Sequence, residues 1–228
     1  MKHAIFLDLD GTLADTAADL FNALSSLCKA RNTVVPDFTE FRQVVSLGAA
    51  KMLQLAFDIT PSSQIYEALR LDFLRRYRST ICENTEIFPG IRDGIRQAVT
   101  ANCTWGIITN KPGWLTTPLI CQLAIEPAPC CIISGDTLTQ RKPAPDQLLH
   151  ACAVMGLRTR HCVYVGDAKS DILAAKAADM QSIAVTYGYV PANENPYTWG
   201  ADRIATQSQD VFNIALKMFN LREYSDQR

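Results

Sequence analysis

The sequence predicts an α/β fold with a doubly wound, parallel-sheet (Rossmann-like) core and a small all-helical domain inserted after the first strand. Two observations predict this fold. Short apolar runs alternate with helix-length amphipathic segments from Pro89 to Thr186, which is typical of a parallel sheet covered by helices on both faces. Between the first apolar run and Pro89 the pattern is helical, without a strand signal, as expected for an insertion.

The first strand is predicted at Ala4–Leu7, four apolar residues that run directly into Asp8. Such a run is typical of a strand buried on both faces, although a buried helix turn has the same pattern. Asp8 and Asp10 are two residues apart, so in an extended chain both carboxylates leave on the same side. Gly11 then allows a sharp turn that brings backbone N–H groups close to a bound phosphate. Taken alone, an ordinary Asp-Gly turn explains these residues equally well.

The insertion contains two predicted amphipathic helices. One spans Thr16–Ala30, with apolar residues at three- and four-residue steps. The second is predicted to start at Thr60–Pro61, with Thr60 as the N-cap and Pro61 in the first turn. Between them, the small residues of Ser46–Ala49 indicate either a plain inter-helix turn or backbone that faces a ligand. Both interpretations stay open at this point.

The remainder of the chain supplies the other predicted strands and helices. Strands are predicted at 104–108, 130–134, 162–165 and 182–186, and helices at 91–100, 114–123, about 146–155 and 170–178. In a doubly wound sheet the functional site lies outside the carboxyl ends of the strands. The polar residues that follow these strands are therefore expected to converge.

Four carboxylates belong to this convergent set: Asp8, Asp10, Asp167 and Asp171. Two carboxylates about 4 Å apart repel by roughly 4 kcal/mol at an effective dielectric of 20. Such a cluster needs a cation among its members, and a set of oxygen ligands without histidine or thiolate favours Mg²⁺. The sequence therefore predicts a magnesium site formed by these aspartates.

Phosphate-binding groups are predicted beside the metal. Thr109 and Asn110 follow the strand at 104–108, and Lys142 lies in the polar loop before the helix at 146–155. Hydroxyl, amide and ammonium donors of this kind are what a phosphate bound against a metal requires. With the backbone at Gly11, they form the predicted phosphate site.

Composition narrows the functional classes. The 228 residues are 48% hydrophobic and carry a net charge of −1, which provides no positive field for nucleic acid. No signal-peptide pattern and no run of about eighteen apolar residues is present, so neither export nor membrane insertion is expected. The eight cysteines contain no C-x-x-C pair and lie among apolar residues, which favours a cytoplasmic protein without disulfides.

Four motifs carry a resemblance to a known family. They are D-L-D-G-T at Asp8–Thr12, Thr109 at a strand end, Lys142 before a proline, and G-D-A-K-S-D at Gly166–Asp171. In this order they resemble the motifs of the haloacid dehalogenase superfamily of phosphohydrolases. The resemblance implies that residues 1–14 and 88–228 form the core domain and that residues 15–87 form a helical cap over the substrate.

The same resemblance implies a role for each motif residue. Asp8 would be the nucleophile that forms an aspartyl-phosphate. Asp10 would be the general acid and base, and would also bind the metal through its backbone carbonyl. Thr109 and Lys142 would hold the phosphoryl group. Asp8 and Asp167 would bind Mg²⁺, with Asp171 on the metal or its waters.

Within the superfamily, the chain resembles the phosphoglycolate phosphatase branch. The stretches V-S-L-G-A-A-K-M-L-Q-L-A-F and V-T-Y-G-Y-V-P-A-N-E-N-P are similar to N-acetylmuramic acid 6-phosphate phosphatases of bacterial cell-wall recycling. The expected substrate is a small phosphorylated metabolite, either phosphoglycolate or a sugar phosphate, and the expected assembly is a monomer or a homodimer. In the cap, Gly48 and Lys51 are expected to select the leaving group.

Three other functional classes were compared with this prediction. A phosphorelay receiver domain has no use for an acid at Asp10 or for a cap. A non-catalytic nucleotide-binding domain would need a glycine-rich phosphate turn after its first strand, and the chain has no G-x-G-x-x-G there. A phosphomutase shares all four motifs, so only the products of turnover separate it from a phosphatase.

Overall fold

The central feature of the molecule is a six-stranded parallel sheet, seen in a computed structural model that describes residues 2–225. The strand order is β5-β4-β1-β6-β7-β8, and every neighbouring pair is parallel. The strands are β1 (His3–Leu7), β4 (Cys103–Ile108), β5 (Ile132–Ile133), β6 (Cys162–Gly166), β7 (Gln181–Val185) and β8 (Arg203–Ala205). The first strand therefore lies near the centre of the sheet, between β4 and β6.

Helices cover both faces of this sheet. They are α5 (Ile91–Thr100), α6 (Gly113–Leu123), α7 (Asp146–Met155), α8 (Lys169–Ala177) and α9 (Val211–Ser225). Along β1, Ile5 and Leu7 belong to the core cluster that includes α5, α6 and α9, whereas Ala4 and Phe6 belong to the cluster that includes α7 and α8. Successive side chains of a strand point to opposite faces, so a strand covered on both sides needs an uninterrupted apolar run. The predicted α/β fold is confirmed.

The segment after β1 forms a helical unit that is joined to the sheet by a short antiparallel ladder. Strand β2 (Ala14–Asp15) pairs with β3 (Glu86–Ile87) where the chain leaves and returns. Between them lie α1 (Ala17–Ala30), α2 (Phe38–Arg42), α3 (Ala49–Phe57) and α4 (Tyr66–Ser79). Their apolar faces bury Leu24, Phe41 and Phe73 in the same cluster as one face of the sheet. The inserted helices therefore pack directly against the sheet domain.

One predicted helix start is wrong. Helix α4 begins at Tyr66, because the chain before it forms hydrogen-bonded turns from Thr60 to Ser63 and from Ser63 to Tyr66. The Thr60 hydroxyl lies 2.8 Å from the Ser62 hydroxyl and does not cap a helix. A Thr-Pro pair therefore predicts a helix start only weakly, because the same residues also form turns.

The other predicted elements are confirmed to within about a residue at most ends. The first inserted helix begins at Ala17, and α8 begins at Lys169, each one residue from its prediction. The strand predicted at 130–134 is shorter, at Ile132–Ile133. All eight cysteines are free thiols, as predicted. No helix among residues 2–225 is long and apolar enough to cross a membrane.

Candidate active site

The carboxyl ends of three adjacent strands form the base of the candidate site. Asp8 follows β1, Thr109 follows β4 and Asp167 follows β6. The Asp8 N–H donates to the carbonyl of Val165 at 2.9 Å, which continues the parallel pairing to the end of the strand. Because β1 lies between β4 and β6, these three residues meet at one edge of the sheet, as predicted from the sequence.

A cluster of three carboxylates lies at this edge. Asp8, Asp167 and Asp171 each place one carboxylate oxygen within 4.8 Å of the others. The Lys142 ammonium forms ion pairs with Asp8 Oδ1 at 2.9 Å and with Asp171 Oδ1 at 2.8 Å. Its side chain is 1% exposed, so these charges interact with little solvent screening. Four of the predicted site residues therefore form one buried ionic group.

Asp167 has a different environment from the other two carboxylates. Its oxygens accept hydrogen bonds from the Tyr189 N–H at 2.7 Å, the Ser46 hydroxyl at 2.6 Å and the Thr12 hydroxyl at 3.3 Å. Among the described residues no cation forms an ion pair with Asp167. The contact with Ser46 also joins the inserted helical unit to the sheet, because Ser46 lies in the turn before α3.

The charges of the three carboxylates and Lys142 are those expected of a binding site for a divalent metal ion. Burial raises the pKa of Asp8 to about 6, with the Lys142 ammonium opposing the rise and Asp171 adding to it. Burial, together with repulsion from Asp8 and Asp171, raises the pKa of Asp167 to about 7. One ammonium thus offsets only part of the charge of three carboxylates. A hard divalent cation held by their oxygens would neutralise the remainder.

Asp10 lies outside the three-carboxylate cluster and has its own cation. Lys111 Nζ lies 2.9 Å from Asp10 Oδ1 and 3.2 Å from Oδ2, and the Thr16 hydroxyl donates to Oδ1 at 2.6 Å. Burial alone would lower the pKa of Lys111, but the Asp10 carboxylate raises it above its usual value. The Asp10 carboxylate is 19% exposed and lines the cavity above the site. Its side chain is therefore available to a bound molecule.

The predicted phosphate-binding residues surround the same edge. Thr109 and Asn110 line the cavity, and the Asn110 Nδ2 group donates to the Lys142 carbonyl at 2.9 Å. The Asn110 Oδ1 atom is buried without a hydrogen-bond partner. Gln147 fixes two of these segments, because its Oε1 accepts from the Lys142 N–H and its Nε2 donates to the Thr109 carbonyl. The two loops that carry the predicted donors are thus held together.

The sequence predicted that the backbone at Gly11 faces a bound phosphate, but the structure places Gly11 outside the lining of the cavity. Its N–H donates to the Ala14 carbonyl at 3.0 Å and is therefore used in a turn. Its φ is +81°, and a Cβ at this position would overlap the Asp167 carboxylate. The geometry gives Gly11 the role of leaving room for Asp167, because only glycine combines this backbone conformation with so close an approach.

A cavity of about 700 Å³ lies between this edge and the inserted helices. Asp8, Asp10 and Thr109 line its base, and Gly48 lines its opposite side together with residues of α3 and α4. Lys51 does not reach the cavity. It lies in the first turn of α3 with its side chain exposed, and its ammonium donates to Gln54 Oε1 at 2.9 Å. The structure therefore brings Gly48 to the site and leaves Lys51 outside it.

Several residues that contribute to the site were not predicted from the sequence: Thr16, Lys111, Gln147, Tyr164 and Tyr189. For Ser46 the sequence indicated either an inter-helix turn or backbone that faces a ligand, and gave no indication of the side-chain contact with Asp167. The sequence could have indicated a site role for Lys111, because this residue directly follows the predicted donors Thr109 and Asn110. Tyr164, whose hydroxyl accepts from Lys142 Nζ at 2.7 Å, lies inside an apolar strand pattern where a tyrosine is unremarkable. Ser46 and Tyr189 come from segments far away in the sequence, so only the folded chain relates them to Asp167.

A comparison with protein families identifies the family of the chain. Residues 5–185 match the family model described as haloacid dehalogenase-like hydrolase. The chain belongs to the haloacid dehalogenase-like hydrolase family. The family resemblance inferred from the four motifs is confirmed, and the matched range contains all the aspartates of the site.

Two curated members of this hydrolase family cover almost the whole chain. A phosphoglycolate phosphatase of Xanthomonas campestris pv. campestris is 37% identical over 213 residues, which is 93% of this chain and 96% of that protein. An N-acetylmuramic acid 6-phosphate phosphatase of Pseudomonas putida is 34% identical over 212 residues, covering 93% and 95%. A crystal structure of a predicted phosphoglycolate phosphatase from Haemophilus somnus 129pt has a TM-score of 0.84 at 24% identity, with 93% and 97% coverage. This last similarity establishes the fold alone.

Proposed function

We propose that this chain is a Mg²⁺-dependent phosphatase that hydrolyses a small phosphorylated metabolite through an aspartyl-phosphate on Asp8. The observation that carries the proposal is the position of Asp8 at the base of the cavity, with Lys142 at 2.9 Å and Thr109 and Asn110 beside it. A carboxylate nucleophile splits the hydrolysis into two transfers of the phosphoryl group. Residues 15–87 serve as the cap that encloses the leaving group.

In the first transfer, an oxygen of Asp8 attacks phosphorus as the bond between phosphorus and the leaving oxygen breaks. Asp10, in its carboxylic acid form, gives a proton to that leaving oxygen, so the product alcohol departs neutral and Asp10 becomes the carboxylate that pairs with Lys111. In the second transfer, Asp10 removes a proton from a water molecule, which attacks phosphorus and breaks the bond to Asp8. Inorganic phosphate is released and both carboxyl groups return to their starting states. Each transfer needs charge neutralisation more than covalent activation.

The binding groups divide between the metal and the phosphoryl group. Asp8, Asp167 and Asp171 would hold Mg²⁺, with the backbone carbonyl of Asp10 as a further oxygen ligand. When bound, the metal supplies positive charge that stabilises the phosphoryl oxygens and offsets the repulsion between the nucleophile and its substrate. Thr109, Asn110 and Lys142 supply hydrogen-bond donors to the same oxygens.

The names of the two curated relatives support two candidate substrates for this chain, phosphoglycolate and N-acetylmuramic acid 6-phosphate. We propose that the leaving group is selected by the surface that the inserted helices contribute to the cavity, where Gly48 lies. A phosphomutase of the same family would use the same carboxylates and would return the phosphoryl group to a sugar. A cytoplasmic protein, monomeric or homodimeric, remains the prediction made from the sequence.

The test is release of inorganic phosphate from a panel of phosphomonoesters that includes both compounds and several hexose phosphates, with Mg²⁺ present. Asp8→Asn keeps the shape of the side chain and removes its nucleophilicity, so it should reduce turnover by at least about 10⁴-fold. Asp146→Asn, at the first residue of α7 and outside the cavity, is the matched control and should keep wild-type turnover. Turnover within tenfold of wild type in Asp8→Asn would overturn the mechanism, and an isomeric sugar phosphate as the product would indicate a mutase.

A further inference from the structure

The size of the cavity bears on the leaving group. The volume is about 700 Å³. Cavities that bury ligands of drug size have volumes of about 300–1,000 Å³. An N-acylated sugar phosphate of about 24 non-hydrogen atoms is a ligand of that size, whereas phosphoglycolate has only about nine non-hydrogen atoms. The cavity therefore has room for a leaving group of sugar size, and a two-carbon acid would leave most of it to water.

Most charged residues that line the cavity form an ion pair with another residue. Asp8 is paired with Lys142, and Asp10 is paired with the lining residue Lys111. Arg70 of α4 forms a two-point ion pair with Glu67, at 2.8 Å from Nε and 2.5 Å from Nη2.

The fifth charged lining residue, Arg141, has no partner for its guanidinium among residues 2–225. Arg141 therefore carries the one charge in the cavity lining that no ion pair neutralises among the described residues.

Arg141 and its neighbour Lys142 differ in burial. It directly precedes Lys142, whose side chain is buried at the base of the cavity, whereas the Arg141 side chain is exposed. The base already offers Lys142, Thr109 and Asn110 as donors to a phosphate. A guanidinium presents a planar pair of donors that matches a carboxylate.

We propose that Arg141 binds a carboxylate on the leaving group, and that the substrate is a phosphorylated, sugar-sized acid. The inference rests on the proposed phosphatase function and adds a specificity-determining residue to it. The phosphoryl group binds at Asp8, the apolar walls from α3 and α4 enclose the body of the leaving group, and Arg141 pairs with its acid group. The guanidinium remains partly hydrated, so this pair contributes selectivity more than total affinity.

The experiment compares two substrates that differ by the acid group. N-acetylmuramic acid 6-phosphate carries a lactyl carboxylate, and N-acetylglucosamine 6-phosphate lacks that group. Wild-type kcat/KM should be at least about tenfold higher for the acid. Arg141→Gln should reduce kcat/KM for the acid by about tenfold or more and change the neutral ester by less than about twofold, and Arg141→Lys should keep part of the preference. Arg158→Gln, at an exposed arginine outside the cavity, is the matched control and should change neither value.

Three outcomes would overturn the inference. An equal loss for both substrates in Arg141→Gln would show that Arg141 binds the phosphoryl group. An unchanged ratio in Arg141→Gln would show that the guanidinium does not face the leaving group. If the wild-type enzyme released phosphate from neutral esters as readily as from the acid, the inference about Arg141 would be rejected. The proposed phosphatase function would still be supported. Failure to release phosphate from any phosphomonoester would reject the proposed function itself.

Discussion

Lys111 Nζ lies 2.9 Å from Asp10 Oδ1, at the junction between the sheet domain and the inserted helices. The ammonium also lies 4.4 Å from the centre of the Tyr77 ring of α4, and its side chain is 5% exposed. A buried ammonium that contacts one carboxylate and one aromatic face has a single favourable position. Lys111 therefore fixes the Asp10 carboxylate and connects it to the inserted helices.

The first prediction concerns this ion pair. Lys111→Met removes the charge and keeps most of the volume, so Asp10 loses the partner that holds its carboxylate toward the cavity. We expect kcat/KM for an alkyl phosphate to fall by about 10² to 10³-fold, within the range attributed to general acid–base catalysis. Initial rates of phosphate release from the alkyl phosphate, measured at several substrate concentrations, give kcat/KM.

A leaving group that needs no proton is the control for Lys111→Met. The kcat/KM for p-nitrophenyl phosphate should fall much less than that for the alkyl ester, because nitrophenolate departs without general acid assistance. Equal losses for the two esters would contradict a role through Asp10 and indicate general damage to the site. The thermal midpoint of the variant, measured beside wild type, separates catalytic loss from unfolding.

The sequence alone was sufficient to predict the sheet and the residues that lie at the carboxyl ends of its strands. Both depend on local signals: apolar runs of strand length, and polar residues that directly follow them. Asp8, Thr109 and Asp167 converge because parallel strands end at one edge, and this property of the topology needs no coordinates. Lys142 lies in a loop whose position could be expected only from its motif.

The contacts across the cavity could not be predicted, because they depend on how the inserted helices pack. Ser46 donates to Asp167, which is 121 residues further along the chain. Lys51 was expected to face the substrate because it lies close to Gly48 in the sequence. Successive side chains of a helix are about 100° apart, so α3 presents Ala49, Ala50 and Met52 to the cavity and directs Lys51 to the opposite side, where it contacts Gln54.

The second prediction concerns the metal. Excess chelator should abolish phosphate release, and Mg²⁺ should restore it, because three carboxylates with one ammonium retain uncompensated charge around Asp8. Ca²⁺ should restore no more than a few per cent of the activity, since it accepts looser and larger coordination than Mg²⁺. Full activity in excess chelator would mean that the carboxylate cluster does not bind a catalytic metal.

The third prediction is a pH dependence of the metal-free protein. The pKa of Asp8 is raised to about 6 and that of Asp167 to about 7, from a usual value of 3.8. Between about pH 4 and pH 7 the folded state therefore binds more protons than the unfolded state, so stability falls as the pH rises through this window. Thermal midpoints measured in chelator from pH 4.5 to 8 should show this decline. Mg²⁺ should raise the midpoint most at pH 8, where it competes with the fewest protons.

Asp167→Asn is the control for this pH dependence. The amide cannot ionise, so the contribution of this position to the slope between pH 4 and pH 7 should disappear. The difference between wild type and variant cancels the titration of groups that do not interact with Asp167. A wild-type and variant pair with parallel pH profiles in chelator would show that Asp167 does not have a raised pKa.

The last prediction concerns the cap turn at Gly48. This residue has φ of 81° and ψ of 177°, a conformation that only glycine adopts readily, and a Cβ added there would meet no atom within 4 Å. Gly48→Ala and Gly48→Leu should therefore both lower the free energy of unfolding by roughly 1–3 kcal/mol through backbone strain, without a steric clash at Cβ. Chemical denaturation of the two variants measures this shared effect.

Only the leucine side chain extends into the cavity that Gly48 lines. Gly48→Leu should therefore lower kcat/KM for a sugar-sized phosphate at least about tenfold more than for a small ester, because the side chain occupies leaving-group space without touching the phosphoryl site. Gly48→Ala carries the same strain and should leave the ratio of the two specificity constants within about twofold of wild type. An equal change of this ratio in both variants would attribute the effect to the backbone, and an unchanged ratio in Gly48→Leu would show that this turn does not contact the leaving group.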